Sequence, residues 1–140
     1  MNKSTEIREI ATVNYLSKKL NCAEAVSRAV LEAGDCAPQV VDAVVASACG
    51  FGAGIGGAGC VCGALAGGVM AISVLANGDK QTIREQSRQL HAGFVEKHKV
   101  TCCRALGRGL AYGTPERKQY CAELVRDVAE LAVKMTLDLR

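Results

Sequence analysis

Apolar residues recur at intervals of three and four along most of the chain, with polar or charged residues between them. This period places apolar side chains on one face of an α-helix. In the first segment, for example, Ile7, Ile10, Val13 and Leu20 define the apolar face. The pattern predicts helices over 5–20, 22–33, 38–48, 60–75, 79–98, 101–110 and from 114 to the C-terminus. We therefore predict an all-α fold, a compact helical bundle of about six or seven helices in one domain spanning 1–140.

Capping residues set several of these boundaries. Asn21 suits the N-cap of the second helix, and Asp79 suits that of the long helix that ends near His98. Thr114 is followed by proline and glutamate, which favours a new helix at that point. The third segment is rich in valine, so a strand is an alternative there.

A glycine-rich loop, 50–59, interrupts the helices. Residues 52–57 match the pattern G-x-G-x-x-G, which binds nucleotide phosphates when it lies between a strand and a helix of a βαβ unit. The segment after residue 78 has a helical pattern, so the second strand of such a unit is missing. Nucleotide binding is therefore not favoured.

The uncharged stretch 43–78 is long enough to be considered as a membrane span. Its many glycines, few large apolar residues and lack of flanking aromatic residues favour a buried helix in a tight bundle instead, and we expect no membrane span. Gly59, Gly63 and Gly67 are spaced four apart, so this face could pack closely within the chain or against a second copy, as a homodimer.

Charge and cysteine content limit the classes of function that the chain could have. The net charge is +3, and no basic patch is interleaved with aromatic residues, so we expect no nucleic acid partner. The first residues lack the apolar stretch of a secretory signal, which favours a cytoplasmic location. Eight cysteines in such a protein indicate metal ligands or redox-active thiols rather than structural disulfides.

The residues themselves place some limits on the site. Cys60 and Cys62 are two apart on the predicted helix, so they should project to different faces and need partners from other segments. The free N–H groups at a helix N-terminus stabilise the negative charge of a nearby thiolate. His91 and His98 lie among polar residues, and we expect a solvated surface there rather than metal ligands.

Four cysteine motifs resemble a known family of redox-active proteins, whose cysteine pattern we write as C…CGAxxG…C…C. The motifs are Asn21-Cys22-Ala23, Cys62-Gly63-Ala64-Leu65-Ala66-Gly67, Cys103-Arg104-Ala105-Leu106 and Cys121 near the start of the last helix. A related domain of split-Soret cytochromes is associated with an iron–sulfur cluster. The resemblance therefore implies a 2Fe–2S or 4Fe–4S cluster held by Cys22, Cys62, Cys103 and Cys121, for electron transfer or redox sensing with an unknown redox partner protein.

Other interpretations stay open at this stage. The chain has no C-x-x-C-H motif, so covalent haem is not expected. Cys60 and Cys102 are additional thiols that could make the protein a metal-free thiol–disulfide redox protein, and Cys102 could replace Cys103 in the site. Four thiolates would also suit structural zinc in an interaction module. Cys36 and Cys49 are expected to be small buried residues, and an enzymatic activity is neither predicted nor excluded.

Overall fold

The computed structural model describes residues 2–17 and 19–137 and contains seven α-helices within them. They are α1 Lys3–Leu16, α2 Cys22–Ala33, α3 Pro38–Ala48, α4 Gly63–Leu75, α5 Lys80–His98, α6 Cys103–Leu106 and α7 Pro115–Thr136. A turn of 3-10 helix, Cys49–Phe51, follows α3. In the part of the chain that is described, β-structure is limited to one antiparallel bridge, between Val61 and Cys102. The all-α prediction is confirmed, and the valine-rich third segment is a helix.

Three predicted boundaries were wrong. The first helix ends at Leu16 rather than residue 20, and α6 covers only Cys103–Leu106 of the predicted 101–110. The fourth helix begins at Gly63 because residues 59–62 pair with 101–104: the Cys62 N–H donates to the Thr101 carbonyl at 2.8 Å, and the Arg104 N–H donates to the Gly59 carbonyl at 3.0 Å. The predicted continuation of the last helix through 138–140 lies outside the described residues.

The predicted N-caps are confirmed and explain where three helices begin. Asn21 and Glu24 form a capping box, in which each side chain accepts the backbone N–H of the other residue at 2.9 and 2.8 Å. The Asp79 and Thr114 side chains accept from backbone N–H groups in the first turns of α5 and α7. Asn21 also donates to the Cys49 carbonyl at 2.9 Å, which ties the start of α2 to the 3-10 turn.

Small residues let the central helices approach closely. The helix α2 lies in the middle of the fold and contacts α1, α3, α4 and α7. A Cβ at Gly67 of α4 would lie 2.4 Å from the Ala23 carbonyl oxygen of α2, and one at Gly68 would lie 2.6 Å from Val128 of α7. Two members of the glycine series, Gly63 and Gly67, thus pack within the chain, whereas Gly59 precedes the helix.

Large apolar side chains fill the space between these helices. Fully buried examples are Val26, Leu31, Ile72, Leu90, Phe94 and Val128. The predicted apolar face of α1 is partly wrong, because Val13 is 64% exposed and Ile10 is 41% exposed, whereas Ala11 and Tyr15 are buried. None of the helices in the described residues has the length and apolar character needed to cross a bilayer.

Candidate functional site

Four cysteines, three of them in helices and one at a helix N-cap, line one cavity of about 670 Å³. Cys22 is the first residue of α2, Cys62 is the N-cap of α4, Cys103 is the first residue of α6, and Cys121 lies in the second turn of α7. Cys62 and Cys103 are buried, and the other two are half-buried. The fold thus brings the four cysteines of the sequence pattern to one place, although they are up to 99 positions apart, the separation of Cys22 and Cys121.

Backbone N–H groups point at two of these sulfurs. The Cys62 sulfur accepts hydrogen bonds from the N–H groups of Leu65 and Ala64 in the first turn of α4. The Cys22 sulfur accepts from Ala53 of the glycine-rich loop and from Ala23. Such donors stabilise negative charge on sulfur, whether on a free thiolate or on a ligand of a metal cluster.

Burial opposes ionisation of the same thiols in the metal-free protein. Burial raises the pKa of the Cys62 thiol to about 12, and the neighbouring Cys22 and Cys103 act in the same direction. Burial likewise raises the pKa of the Cys22 thiol, with a further contribution from Cys121. These two cysteines are therefore neutral at neutral pH without metal, unlike the low-pKa cysteines of thiol-based catalysts.

Several N–H groups in and next to the glycine-rich loop donate to carbonyls of the loop itself. Gly56 donates to the Gly50 carbonyl at 2.9 Å, Gly59 to Ala53 at 3.1 Å, and Cys60 to Gly54 at 2.9 Å. A phosphate-binding loop would instead direct such groups at a ligand. Gly54, at φ +72°, packs so closely that a Cβ there would lie 2.8 Å from the Cys103 Cβ. The loop thus forms one wall of the cysteine cavity.

Arg117 is a site residue that the sequence analysis missed. Its side chain is buried among the cavity walls, with the residue only 5% exposed. Its Nε lies 3.4 Å from the Cys121 sulfur, and its Nη2 lies 3.3 Å from the Cys103 sulfur. Its position four residues before Cys121 places both side chains on one face of α7, which is the signal that could have identified it.

Two tyrosines complete the walls around the sulfurs. The Tyr112 hydroxyl forms a short hydrogen bond with the Cys103 sulfur, and the ring lies 4.1 Å from the Arg117 guanidinium carbon. Tyr15 of α1 is buried, lines the cavity and hydrogen-bonds to Cys121. Burial raises the pKa of Tyr112 to about 12, so its hydroxyl is protonated and can donate to sulfur.

The cavity cysteines are not arranged as a preformed site for a metal ion. Among residues 2–17 and 19–137, no group of three or more histidine, cysteine, aspartate or glutamate side chains is arranged to hold a metal ion. A tetrahedral zinc ion would need its four thiolates at Zn–S distances of about 2.3 Å. Four cysteine thiolates are also the ligand set of 2Fe–2S and 4Fe–4S clusters.

The remaining cysteines lie elsewhere. Cys60 and Cys102 are exposed and are absent from the cavity lining, where Cys62 and Cys103 are found. The Cys102 thiol donates to the Gly59 carbonyl at 2.9 Å. Cys49 is exposed, so its predicted burial was wrong, and Cys36 is half-buried. The prediction that Cys60 and Cys62 lie on one helix was also wrong, because both precede α4.

The prediction that both histidines lie on a solvated surface is confirmed for His91 but wrong for His98. His91 is exposed, as predicted. The His98 side chain is only 11% exposed, because it packs on Phe94 and its Nε2 lies 2.9 Å from the Asp127 carboxylate of α7. This pair joins α5 to α7 and lies outside the cysteine cavity.

Comparison with known protein families matches residues 20–135 to the family described as "Putative redox-active protein (C_GCAxxG_C_C)". The chain therefore belongs to this family, which assigns it a redox role. The family's description has glycine before cysteine in GCAxxG, whereas residues 62–67 of this chain read CGALAG, with the two residues in the opposite order. No curated protein and no solved structure matches the chain.

Proposed function

We propose that this protein binds an iron–sulfur cluster through Cys22, Cys62, Cys103 and Cys121 and serves in electron transfer or redox sensing. The observation that carries the proposal is the position of these four thiols, which lie at or near the starts of four helices and line one cavity. Iron–sulfur clusters of the 2Fe–2S and 4Fe–4S types are held by four cysteine thiolates. A bound cluster would supply one-electron chemistry that the side chains themselves lack.

The surroundings of the thiols suit this role. Backbone N–H groups at the start of α4 and in the glycine-rich loop would donate to two ligand sulfurs. Tyr112 and Arg117 would do the same for Cys103. Hydrogen bonds to sulfur and local charge are the means by which proteins tune such clusters.

Electron exchange needs a path to a partner, and the cavity has an open side. Its outer residues include the exposed Tyr112 and the chain around Gly113, which adjoin the sulfur of Cys103. A redox partner protein would approach from this side. A cytoplasmic location, where thiols are kept reduced, belongs to the same proposal.

A second candidate function is thiol–disulfide exchange by Cys60 and Cys102. Both thiols are exposed, and both lie on the short paired segments next to the cavity. In this reaction the two thiols would lose two protons and two electrons and form one disulfide. A small disulfide such as oxidised glutathione would take up the electrons and protons and become two thiols.

Cysteine substitutions separate the two functions. Each protein would be purified without oxygen, reconstituted with ferrous iron and sulfide, and assayed for iron, sulfide and visible absorption. The cluster proposal predicts that serine at any of the four cavity positions sharply lowers iron content. C60S, C102S and C49S are matched controls that remove exposed thiols, and each should keep the wild-type content.

The opposite pattern would support the second function. Full iron in C62S and C103S would contradict the four-cysteine site. A colourless wild-type protein whose disulfide exchange is lost in C60S and C102S would favour the metal-free reaction. A colourless protein with one zinc ion per chain would favour a structural zinc site.

A further inference from the structure

We propose that Arg117 is a positioning residue that fixes the Cys103 and Cys121 sulfurs relative to each other. Through these contacts it also sets the reduction potential of the bound cluster. Only the second part, the effect on the reduction potential, rests on the proposed function. The first part concerns two sulfurs that the arginine contacts directly in the structure.

The guanidinium of Arg117 has five N–H donors, and the structure gives five acceptors for them. The edge formed by Nε and Nη2 faces the sulfurs of Cys121 and Cys103 at 3.4 and 3.3 Å. Nη2 also donates to the Cys103 carbonyl at 3.0 Å. Nη1 donates to the carbonyls of Gly107 and Leu110 at 3.3 and 3.0 Å.

These contacts join α7 to the segment that carries Cys103. The three carbonyls belong to α6 and the turn after it, so one side chain orients this whole segment as well as its thiol. Parallel N–H groups on one edge of a guanidinium fix two acceptors relative to each other. Lysine could supply the charge but could not fix two sulfurs in this way.

Gly107 makes room for the guanidinium. A Cβ at this position would lie 1.9 Å from Cζ and Nη1 of Arg117, so no other residue fits while the arginine stays in place. The backbone at Gly107 has φ −94°, which alanine adopts without strain. The substitution G107A should therefore displace Arg117 while leaving its charge in the protein.

A buried positive charge next to ligand sulfurs stabilises the more negative state of a cluster. The attraction is strong because Arg117 is shielded from water and Tyr112 lies over it. Reduction adds one negative charge, so the arginine favours the reduced state. Removing or displacing the charge should shift the midpoint potential to more negative values.

The test compares R117Q, R117K and G107A with two matched controls. R104Q neutralises the exposed arginine next to Cys103, which donates to the Ala58 carbonyl rather than to sulfur. G50A adds a Cβ where no atom lies within 4 Å. The midpoint potential of each reconstituted protein would be measured by spectroscopic redox titration. We expect a negative shift in R117Q and G107A, a smaller one in R117K, and wild-type values in both controls.

A second measurement uses the metal-free proteins. A short bifunctional thiol reagent should join Cys103 to Cys121 in wild type, R104Q and G50A, as mapped by mass spectrometry. The yield of this cross-link should fall severalfold in G107A and R117Q. This readout tests the positioning role even if R117Q does not accept a cluster.

The outcomes separate the two proposals. Wild-type protein that binds no cluster contradicts the proposed function, and the cross-linking result then decides the role of Arg117 by itself. An unchanged potential in cluster-loaded R117Q or G107A contradicts the tuning role. Equal cross-linking in wild type and G107A, with native helix content in both, overturns the positioning role.

Discussion

The sulfur of Cys22 lies directly against Gly63, so closely that a Cβ on the glycine would come within 2.4 Å of it. The same Cβ would lie 2.8 Å from the Phe51 carbonyl oxygen. Gly63 is the first residue of α4 and follows Cys62. The absence of a side chain at this one position therefore lets two of the four thiols, at the starts of α2 and α4, share a cavity.

The substitution G63A should weaken cluster binding, because the added methyl group must push Cys22 away from the cavity. We expect the affinity for iron to fall at least about tenfold, as is common when groups that orient metal ligands are changed. Iron content after anaerobic reconstitution measures the effect. G50A is the matched control, and wild-type iron content in G63A would show that the Cys22 sulfur is not held in place by this contact.

Two glycines within helices should respond to alanine in opposite ways. At Gly67 a Cβ would lie 2.4 Å from the backbone oxygen of Ala23, so G67A should lower the free energy of unfolding by about 1–3 kcal/mol. At Gly93 the nearest atoms are the Leu131 methyl groups, at 3.5 and 3.7 Å. G93A should raise the free energy of unfolding by about 0.5–1 kcal/mol, because alanine favours the helix. Urea unfolding measures the free energy of unfolding of both variants and of wild type. A G93A variant that is less stable than wild type would contradict the packing described between Gly93 and Leu131.

The ion pairs of Glu130 predict a pH dependence of stability. Burial alone would raise the pKa of this carboxyl, but Lys134 and Arg8 outweigh it and lower the pKa below its unfolded value. Arg8 Nη1 lies 2.6 Å from Glu130 Oε2 and joins α1 to α7. A lowered pKa stabilises the fold above the unfolded pKa of about 4.3, and this contribution is lost as the pH falls through the folded pKa.

The variant E130Q should therefore be less stable than wild type at pH 7, by up to about 1 kcal/mol since the pair is partly exposed. The difference should shrink as the pH is lowered below about 4. Urea unfolding of the metal-free proteins at several pH values measures it, with E123Q on the exposed side of α7 as the control. A difference that does not change with pH would contradict the ion-pair explanation.

If the proposed cluster is bound, its removal should loosen the helices around the cavity. Cys22, Cys103 and Cys121 belong to α2, α6 and α7, and Cys62 is the N-cap of α4. A cluster bound by all four thiols would add a constraint that only the folded protein can satisfy. Chelation of iron should lower the melting temperature of the wild-type protein by several degrees but leave C62S unaffected. Equal melting temperatures with and without iron would mean that the cluster does not connect these helices.

The local signals in the sequence predicted much of this fold. The N-cap Asn21 and the helix-starting Pro38 fixed α2 and α3 to the residue, because caps act over a single turn. The start of α4 depends on pairing between residues 59–62 and 101–104. No local pattern reveals contacts over that distance, and the helix was therefore predicted three residues too early.

The sequence analysis placed four cysteines in one candidate site but did not predict the residues around them. The resemblance to a cysteine pattern indicated the four positions, and the fold brings them to one cavity. Arg117 contacts Cys103 only because the turn after α6 folds back on α7. His98 is covered because its helix packs on Asp127 of α7. Both outcomes depend on tertiary packing, which periodicity does not encode.

The central claim, that these four thiols hold an iron–sulfur cluster, is tested most directly by analysing protein purified without oxygen. Iron and acid-labile sulfide would be counted per chain, and the visible spectrum recorded before and after reduction. We predict a brown protein with matched iron and sulfide and a spectrum that bleaches on reduction. A folded, colourless protein with no iron or sulfide, before and after reconstitution, would contradict the claim.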